Sequence, residues 1–194
     1  MTRTRYFTAT SVDGFIADED NSLDWLSEVE RSGPDRFAAF FADVGAFAMG
    51  ATSYEWMLTH ERLLEQPEKW HAWYGDVPCW VFTHRDLPPV PGANITFASG
   101  EIRPVHAALV AAARGRDVWL TGGGELVGQF ADHGLLDEII LGVAPVALGG
   151  GAPLLPRRLV SSHMRLTGVE RVGQFAYLTY SVHRSVADGT GEGL

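Results

Sequence analysis

The chain has 194 residues, enough to bury one substantial core, and its 46% apolar and 20% charged residues are the balance of a globular protein rather than a disordered one. Its formal net charge of −9 argues against nucleic acid as a partner, because phosphate backbones are bound through basic surfaces. No apolar run reaches the length of a membrane span, no signal-peptide core follows Met1, and Cys79 is the single cysteine. A cytoplasmic enzyme or small-molecule-binding protein is therefore expected, with no internal disulfide, no metal site and no membrane partner.

Residues 3–10 predict a strand, with Tyr6, Phe7 and Ala9 in a β-prone setting. Asp13-Gly14 is a turn signal, and Phe15-Ile16-Ala17 resumes strand character. A polar loop over 18–22 is ended by Trp25. Pro34 opens a helix whose Phe37, Phe40, Phe41 and Val44 fall on one face. Residues 46–49 predict a buried strand closed by Gly50. Thr52 and Ser53 then start a helix over 54–58, as caps or as phosphate donors. Residues 60–74, aromatic and charged, are helical in part. Trp80-Val81-Phe82 predicts a strand that leaves through Thr83-His84-Arg85, and 88–92 is a rigid loop. A short strand at 95–98 precedes a helix striped by Val105, Ala108, Leu109 and Ala112.

Val118-Trp119-Leu120 predicts a further strand. It breaks through Thr121-Gly122-Gly123-Gly124 into a helix marked by Leu126, Val127, Phe130 and Ala131. The first N–H groups of a helix have no internal partner and the dipole favours negative charge there. Glycine in such a turn lets a phosphate approach without a Cβ in the way; a tight turn holding nothing is the plain alternative. Residues 139–148 are apolar nearly throughout, as in a strand covered on both faces, and Gly149-Gly150-Gly151 follows. Strands over 164–172 and 175–183, joined near Gly173, suit an antiparallel hairpin, and 185–194 reads as a polar, Gly-rich tail. Strands alternating with helices, without repeat or linker, predict one α/β domain over 1–184 with a mostly parallel central sheet and an antiparallel C-terminal hairpin.

Four stretches, in order, resemble the dihydrofolate reductase superfamily, in particular its branch containing the C-terminal reductase domain of riboflavin biosynthesis (RibD). Ser11-Val12-Asp13-Gly14-Phe15-Ile16-Ala17 is similar to that family's S-x-D-G-x-I-A run, and Met49-Gly50-Ala51-Thr52-Ser53-Tyr54-Glu55 to its M-G-R-x-T-x-E segment. Gly122-Gly123-Gly124-Glu125 with Gln129-Phe130 resembles its glycine turn and helix. Pro145, Leu148-Gly149-Gly150-Gly151 and Pro153-Leu154 resemble the P-x-x-L-G-G-G-x-P-L loop of the riboflavin branch.

The resemblance implies a three-layer fold and an NADPH-dependent reductase acting on a heterocyclic or ribosylamine substrate, after the pattern of 5-amino-6-(5-phosphoribosylamino)uracil reduction. Pterin reduction and non-catalytic nucleotide binding are the alternatives. It places the cofactor diphosphate between Thr52-Ser53 and Gly123-Gly124, with Gly50, Thr121, Gly122, Glu125 and Leu126 in the same grip. Ala9 and Ile16 would pack around the nicotinamide, and Thr83, His84 and Arg85 would hold the adenosine end. It further implies a cis peptide at Gly122-Gly123 or Gly123-Gly124, and a homodimer to which the 164–183 hairpin contributes. Ala51 departs from the pattern, standing where the family has the arginine that binds the 2′-phosphate. NADH is thereby left open as the cofactor, and Arg85 with His84 becomes the candidate replacement.

A pterin-type site also implies an acid near the first long helix. Asp35 and Asp24 are the candidates, with Phe37 as the residue that could fill the slot instead; Asp13 is a substrate-site or turn residue. Trp25, Trp56, Trp70 and Trp73 are cleft walls or core, Arg157-Arg158 a phosphate grip or a solvated pair, and Cys79 a small buried hydrophobe. With one cysteine, the zinc deaminase half of the bifunctional riboflavin enzyme is not present in this chain.

Overall fold

In the computed structural model, residues 1–183 are described, and the tail expected over 185–194 lies outside the described residues. The elements follow in the order β1 (Thr4–Thr10), β2 (Phe15–Ala17), α1 (Asp24–Ser27), α2 (Arg36–Phe41), β3 (Val44–Gly50), α3 (Ala51–His60), α4 (Glu68–Tyr74), β4 (Cys79–Phe82), β5 (Ile95–Ala98), α5 (Ile102–Ala113), β6 (Asp117–Gly122), α6 (Gly124–Asp132), β7 (Glu138–Val143), β8 (Ala152–Pro153), β9 (Met164–Val172) and β10 (Phe175–Val182). Eight strands form one sheet in the order β5-β4-β3-β6-β1-β7-β10-β9. Pairing is parallel from β5 to β7, and β10 runs antiparallel to both β7 and β9. β2 and β8 make a separate antiparallel ribbon.

Side-chain parity builds the three layers. Tyr6, Ala46, Ala48, Val118, Leu120 and Ile139 face α5 and α6, meeting Ile102, Leu109, Ala113, Leu126, Val127 and Phe130. Their strand neighbours Phe7, Phe47, Met49, Trp119 and Ile140 face the other way, against Phe40 of α2, Tyr54 of α3 and Trp70 of α4. Gly45 lets α5 close onto β3: a Cβ there would lie 2.2 Å from the carbonyl oxygen of Ala113. This is a mixed α/β architecture with a mostly parallel central sheet and antiparallel C-terminal strands.

Three local expectations are corrected. Val44 begins β3 instead of extending α2, because its backbone pairs with Asp117 on β6. The apolar run 139–148 is a strand only to Val143. Ala144 turns under Trp25, Val29 and Phe175, and Pro145 has no N–H for a ladder. The stripe on α5 runs through Ile102, Leu109 and Ala113, leaving Ala108 exposed.

At the N-terminal ends of the parallel strands, Arg5 bonds Glu138 at 2.5 Å and Asp117 at 3.2 Å, while Arg3 bonds Asp117 at 2.9 Å. This network ties β1 to β6 and β7 at one end of the sheet. The opposite, C-terminal end is where ligand sites of open α/β sheets form. No helix among the described residues is long and apolar enough to cross a membrane, and none of their acidic, His or Cys side chains cluster as metal ligands.

Candidate active site

At the C-terminal end of the sheet, β3 and β6 lie side by side and each runs straight into a helix. Gly50 closes β3 and caps α3. Gly122 ends β6, and Gly123, at φ +84°, turns the chain into α6. The two helices pack on opposite faces of the sheet, so their N-termini meet at its edge. A Cβ added to Gly122 would stand 3.4 Å from Ser53 Oγ, and one on Gly123 would stand 4.0 Å from the Gly50 backbone nitrogen. No side chain caps either helix, which leaves the first-turn N–H groups to an external acceptor. Gly124 has a different function: its Cβ would lie 2.2 Å from the Pro153 carbonyl oxygen, so the helix start can abut β8 only as glycine.

Just before this turn the register slips. Ala48 and Met49 on β3 oppose Leu120 and Gly122 on β6, so Thr121 is an extra residue in its strand. Bulges of this kind re-aim side chains next to active sites. The expected cis peptide is not present: among the described residues all peptide bonds are trans, and the left-handed backbone of Gly123 makes the turn.

Both helix starts open into one cleft of about 1150 Å³. Thr52, Ser53, Thr121, Gly122, Gly123, Gly124 and Glu125 line it, together with Ile16 of β2 and Pro153 of β8. One side of its wall is aromatic, and Thr8, Asn21, Leu23, Met57 and Glu61 are among the residues that line the remainder. Phe37 stacks on Phe41 with centroids 5.6 Å apart and tilts against Trp119 at 5.2 Å; Phe41 meets Tyr74 at 5.8 Å, and Tyr74 meets Trp73 at 6.1 Å. Trp56 also lines it, stacked on His60 at 4.4 Å.

Residues 4–178 match the RibD C-terminal domain family, and the chain is 34% identical over 178 residues to the uncharacterized protein YwjB of Bacillus subtilis (strain 168), covering 92% of this chain and 97% of that protein. The chain belongs to the RibD C-terminal domain family. The crystal structure named "Putative riboflavin biosynthesis protein" from Shewanella sp. PV-4 is similar to this RibD-type domain with a TM-score of 0.76 at 26% identity, over 94% of this chain and 100% of that one. Dihydrofolate reductase from Enterococcus faecalis, complexed with NADP(H) and RAB-propyl, has a TM-score of 0.57 at 13% identity over 94% and 96% of the two chains, a likeness of fold alone.

Within this RibD-type domain, several expected site residues stand apart from the cleft. Leu126 is buried beneath α6, and Ala9 packs on the cluster of Trp25, Val29, Ala144 and Phe175. Gly50 backs the glycine turn rather than lining the cleft. Thr83 Oγ1 receives the Arg85 N–H at 2.8 Å and donates to the Arg85 carbonyl at 3.1 Å, closing its own turn. His84 is exposed, and Arg85 pairs with Glu55 of α3 at 2.8 Å.

The three candidate acids do not line the cleft either. Asp35 caps α2, accepting the Ala38 N–H at 2.9 Å. Asp24 is exposed in the first turn of α1. Asp13 accepts the Ser11 hydroxyl at 2.6 Å and the N–H groups of Leu148 and Gly149 at 3.1 and 2.7 Å. Those bonds favour the carboxylate and hold Asp13 down to about 2, so it fastens the Ser11–Gly14 turn to the glycine loop at 149–151.

Of the four tryptophans weighed as cleft walls, Trp56 and Trp73 line the cleft while Trp25 and Trp70 are core. Of the pair Arg157-Arg158, neither lines the cleft: Arg158 is exposed and Arg157 is engaged by two carboxylates. Its guanidinium holds Glu125 through two bonds of 2.6 and 3.0 Å and Asp132 through one of 2.7 Å, which lowers the Glu125 carboxyl. It lies across α6 at Gly128, where a Cβ would be 2.8 Å from its Cζ. Phe41, Tyr74, Trp119 and Glu61 are cleft residues that the sequence did not single out. Phe37 and Phe41 are one helical turn apart, and Trp119 has the opposite parity to Val118 and Leu120; those two spacings were the available signals.

Proposed function

We propose that the protein is an NAD(P)H-dependent reductase that transfers hydride to a small ring compound held in the aromatic half of the cleft. The observation that carries this reading is the junction of two uncapped helix N-termini, with Ser53 Oγ across from Gly122, at the C-terminal edge of a parallel sheet. A Cβ at Gly122 would fill the space beside that hydroxyl, so the glycine leaves room for a phosphate oxygen. The residues fit the group. Thr52, Ser53 and the backbone of 122–124 would hold the diphosphate, and Ile16 and Thr121 would border the nicotinamide.

The bound cofactor supplies the hydride; the chain supplies orientation, a dry aromatic wall and hydroxyl donors. Hydride addition also needs a proton at a second atom of the substrate. The α2 side of the cleft presents Phe37, Ala38, Phe41 and Ala42, with Asp35 turned to capping. Reduction of a pterin through an acid on that helix is therefore disfavoured, and the proton comes from water, which a lining hydroxyl such as Thr121 can orient.

Cofactor preference turns on the place left by Ala51. Arg85 is the cation proposed to read a 2′-phosphate, and Glu55 competes for it. We also propose a homodimer through β9, the edge strand of the sheet, which exposes Leu166 and Val169. Calorimetric titration with NADPH and NADH tests the central reading: saturable binding of at least one is expected, and binding of neither refutes it.

A further inference from the structure

We infer that the substrate of this cleft is a flat ring compound without a phosphate, uncharged or cationic. The inference rests on the cofactor reading above, since a dinucleotide at the glycine turn takes up the helix N-termini and leaves the aromatic half for the substrate. A phosphate group is normally met by arginine or lysine, which supply both charge and donors. Among the described residues, no Lys, Arg or His lines the cleft, and its charged side chains are Glu61 and Glu125.

Two of the cations beside the cleft are held by those same carboxylates, and Arg158 is exposed outside the lining. Lys69 Nζ donates to Glu61 Oε2 at 3.0 Å and to the Glu61 carbonyl at 3.1 Å; Arg157 is fixed on Glu125 and Asp132. A phosphate dianion brought here would lose water and gain no counter-charge, which is costly. The wall of Phe37, Phe41, Trp73, Tyr74 and Trp119 instead offers ring faces and edges, and these bind planar π-systems by stacking and cations by their quadrupoles. Membership of a family that includes riboflavin-pathway reductases thus does not carry a phosphoribosyl substrate into this chain.

Riboflavin and FMN form a matched probe pair, sharing one ring system and differing by a phosphate. Flavin anisotropy is read with NADP+ saturating, which prevents turnover and fills the glycine turn; NADP+ binding is followed by calorimetry in the same samples. Riboflavin should bind at least about tenfold more tightly than FMN. Trp73→Ala, at a partly exposed position, should weaken riboflavin about five- to fiftyfold at unchanged NADP+ affinity. Met57→Lys, which places a cation in the lining, should bring FMN up toward riboflavin.

FMN binding as tightly as riboflavin, absence of riboflavin binding, or indifference of riboflavin to Trp73→Ala each overturns the inference. Indifference of FMN to Met57→Lys overturns the charge argument. NADP+ binding with FMN preferred defeats this inference alone, whereas riboflavin preferred with neither NADP+ nor NAD+ binding defeats the cofactor reading alone.

Discussion

Gly122→Ala separates cofactor binding from folding. Gly122 ends β6 outside the left-handed region, so alanine adopts its backbone without strain, and the new methyl meets Ser53 Oγ at 3.4 Å, an ordinary contact. The folded state should tolerate it within about 1 kcal/mol, a Tm shift of roughly 2–4 °C for a chain of this size. The methyl occupies the space that a diphosphate oxygen needs beside the hydroxyl. A hydrogen bond to a charged group is worth about 1.5–3 kcal/mol, so the NADPH Kd should rise roughly 10- to 150-fold. Calorimetry gives the Kd and differential scanning fluorimetry the Tm. Gly124→Ala is the control: its Cβ meets backbone oxygen at 2.2 Å, so it should lower Tm well beyond the first variant. Wild-type NADPH affinity in Gly122→Ala, at unchanged Tm, would refute the placement of the diphosphate between α3 and α6.

Four further outcomes are expected. Glu55→Gln should release Arg85 and raise the preference for NADPH over NADH, and Arg85→Ala should erase it; Kd values for both cofactors check this. Asp13 is held at about 2 in the fold against about 3.9 in an unfolded chain. Its contribution is thus complete above about pH 5 and lost progressively as pH falls toward 2, so urea midpoints should drop across that window and Asp13→Asn should flatten the drop. Tyr54 donates to the Pro88 carbonyl at 2.8 Å and accepts the Val90 N–H at 3.1 Å. Tyr54→Phe orphans both and should cost about 1–3 kcal/mol by urea denaturation. Light scattering should give a dimeric mass, and Val169→Lys on β9 should convert it to the monomer; a monomeric wild type at micromolar concentration would dismiss the homodimer.

The strand–turn–helix signals at 46–58 and 118–131 were legible because their causes are local: apolar parity, a glycine break, then apolar residues three and four apart. The hairpin at 164–182 was legible for the same reason. The roles of the charged residues were not, since each is set by a distant partner. Asp13 looks like a site acid until Leu148 and Gly149, some 135 positions away, donate to it. Arg157 looks like a phosphate ligand until Glu125 and Asp132 converge on it. The end of β7 was misjudged because Ala144, Val146 and Leu148 are apolar in order to pack beneath α1 and β10, outside any strand. Apolar composition reports burial and not conformation.

The clasp over α6 has an evolutionary corollary. The guanidinium that a phosphorylated substrate would call for already stands beside the cleft, next to Pro156 in its lining. Gly128 leaves it room to lie flat, and two carboxylates keep it neutralised. A relative with amides at those two positions would carry the same arginine with its charge uncompensated. Within this fold, anion acceptance can therefore be gained or silenced by altering acids while the base stays in place.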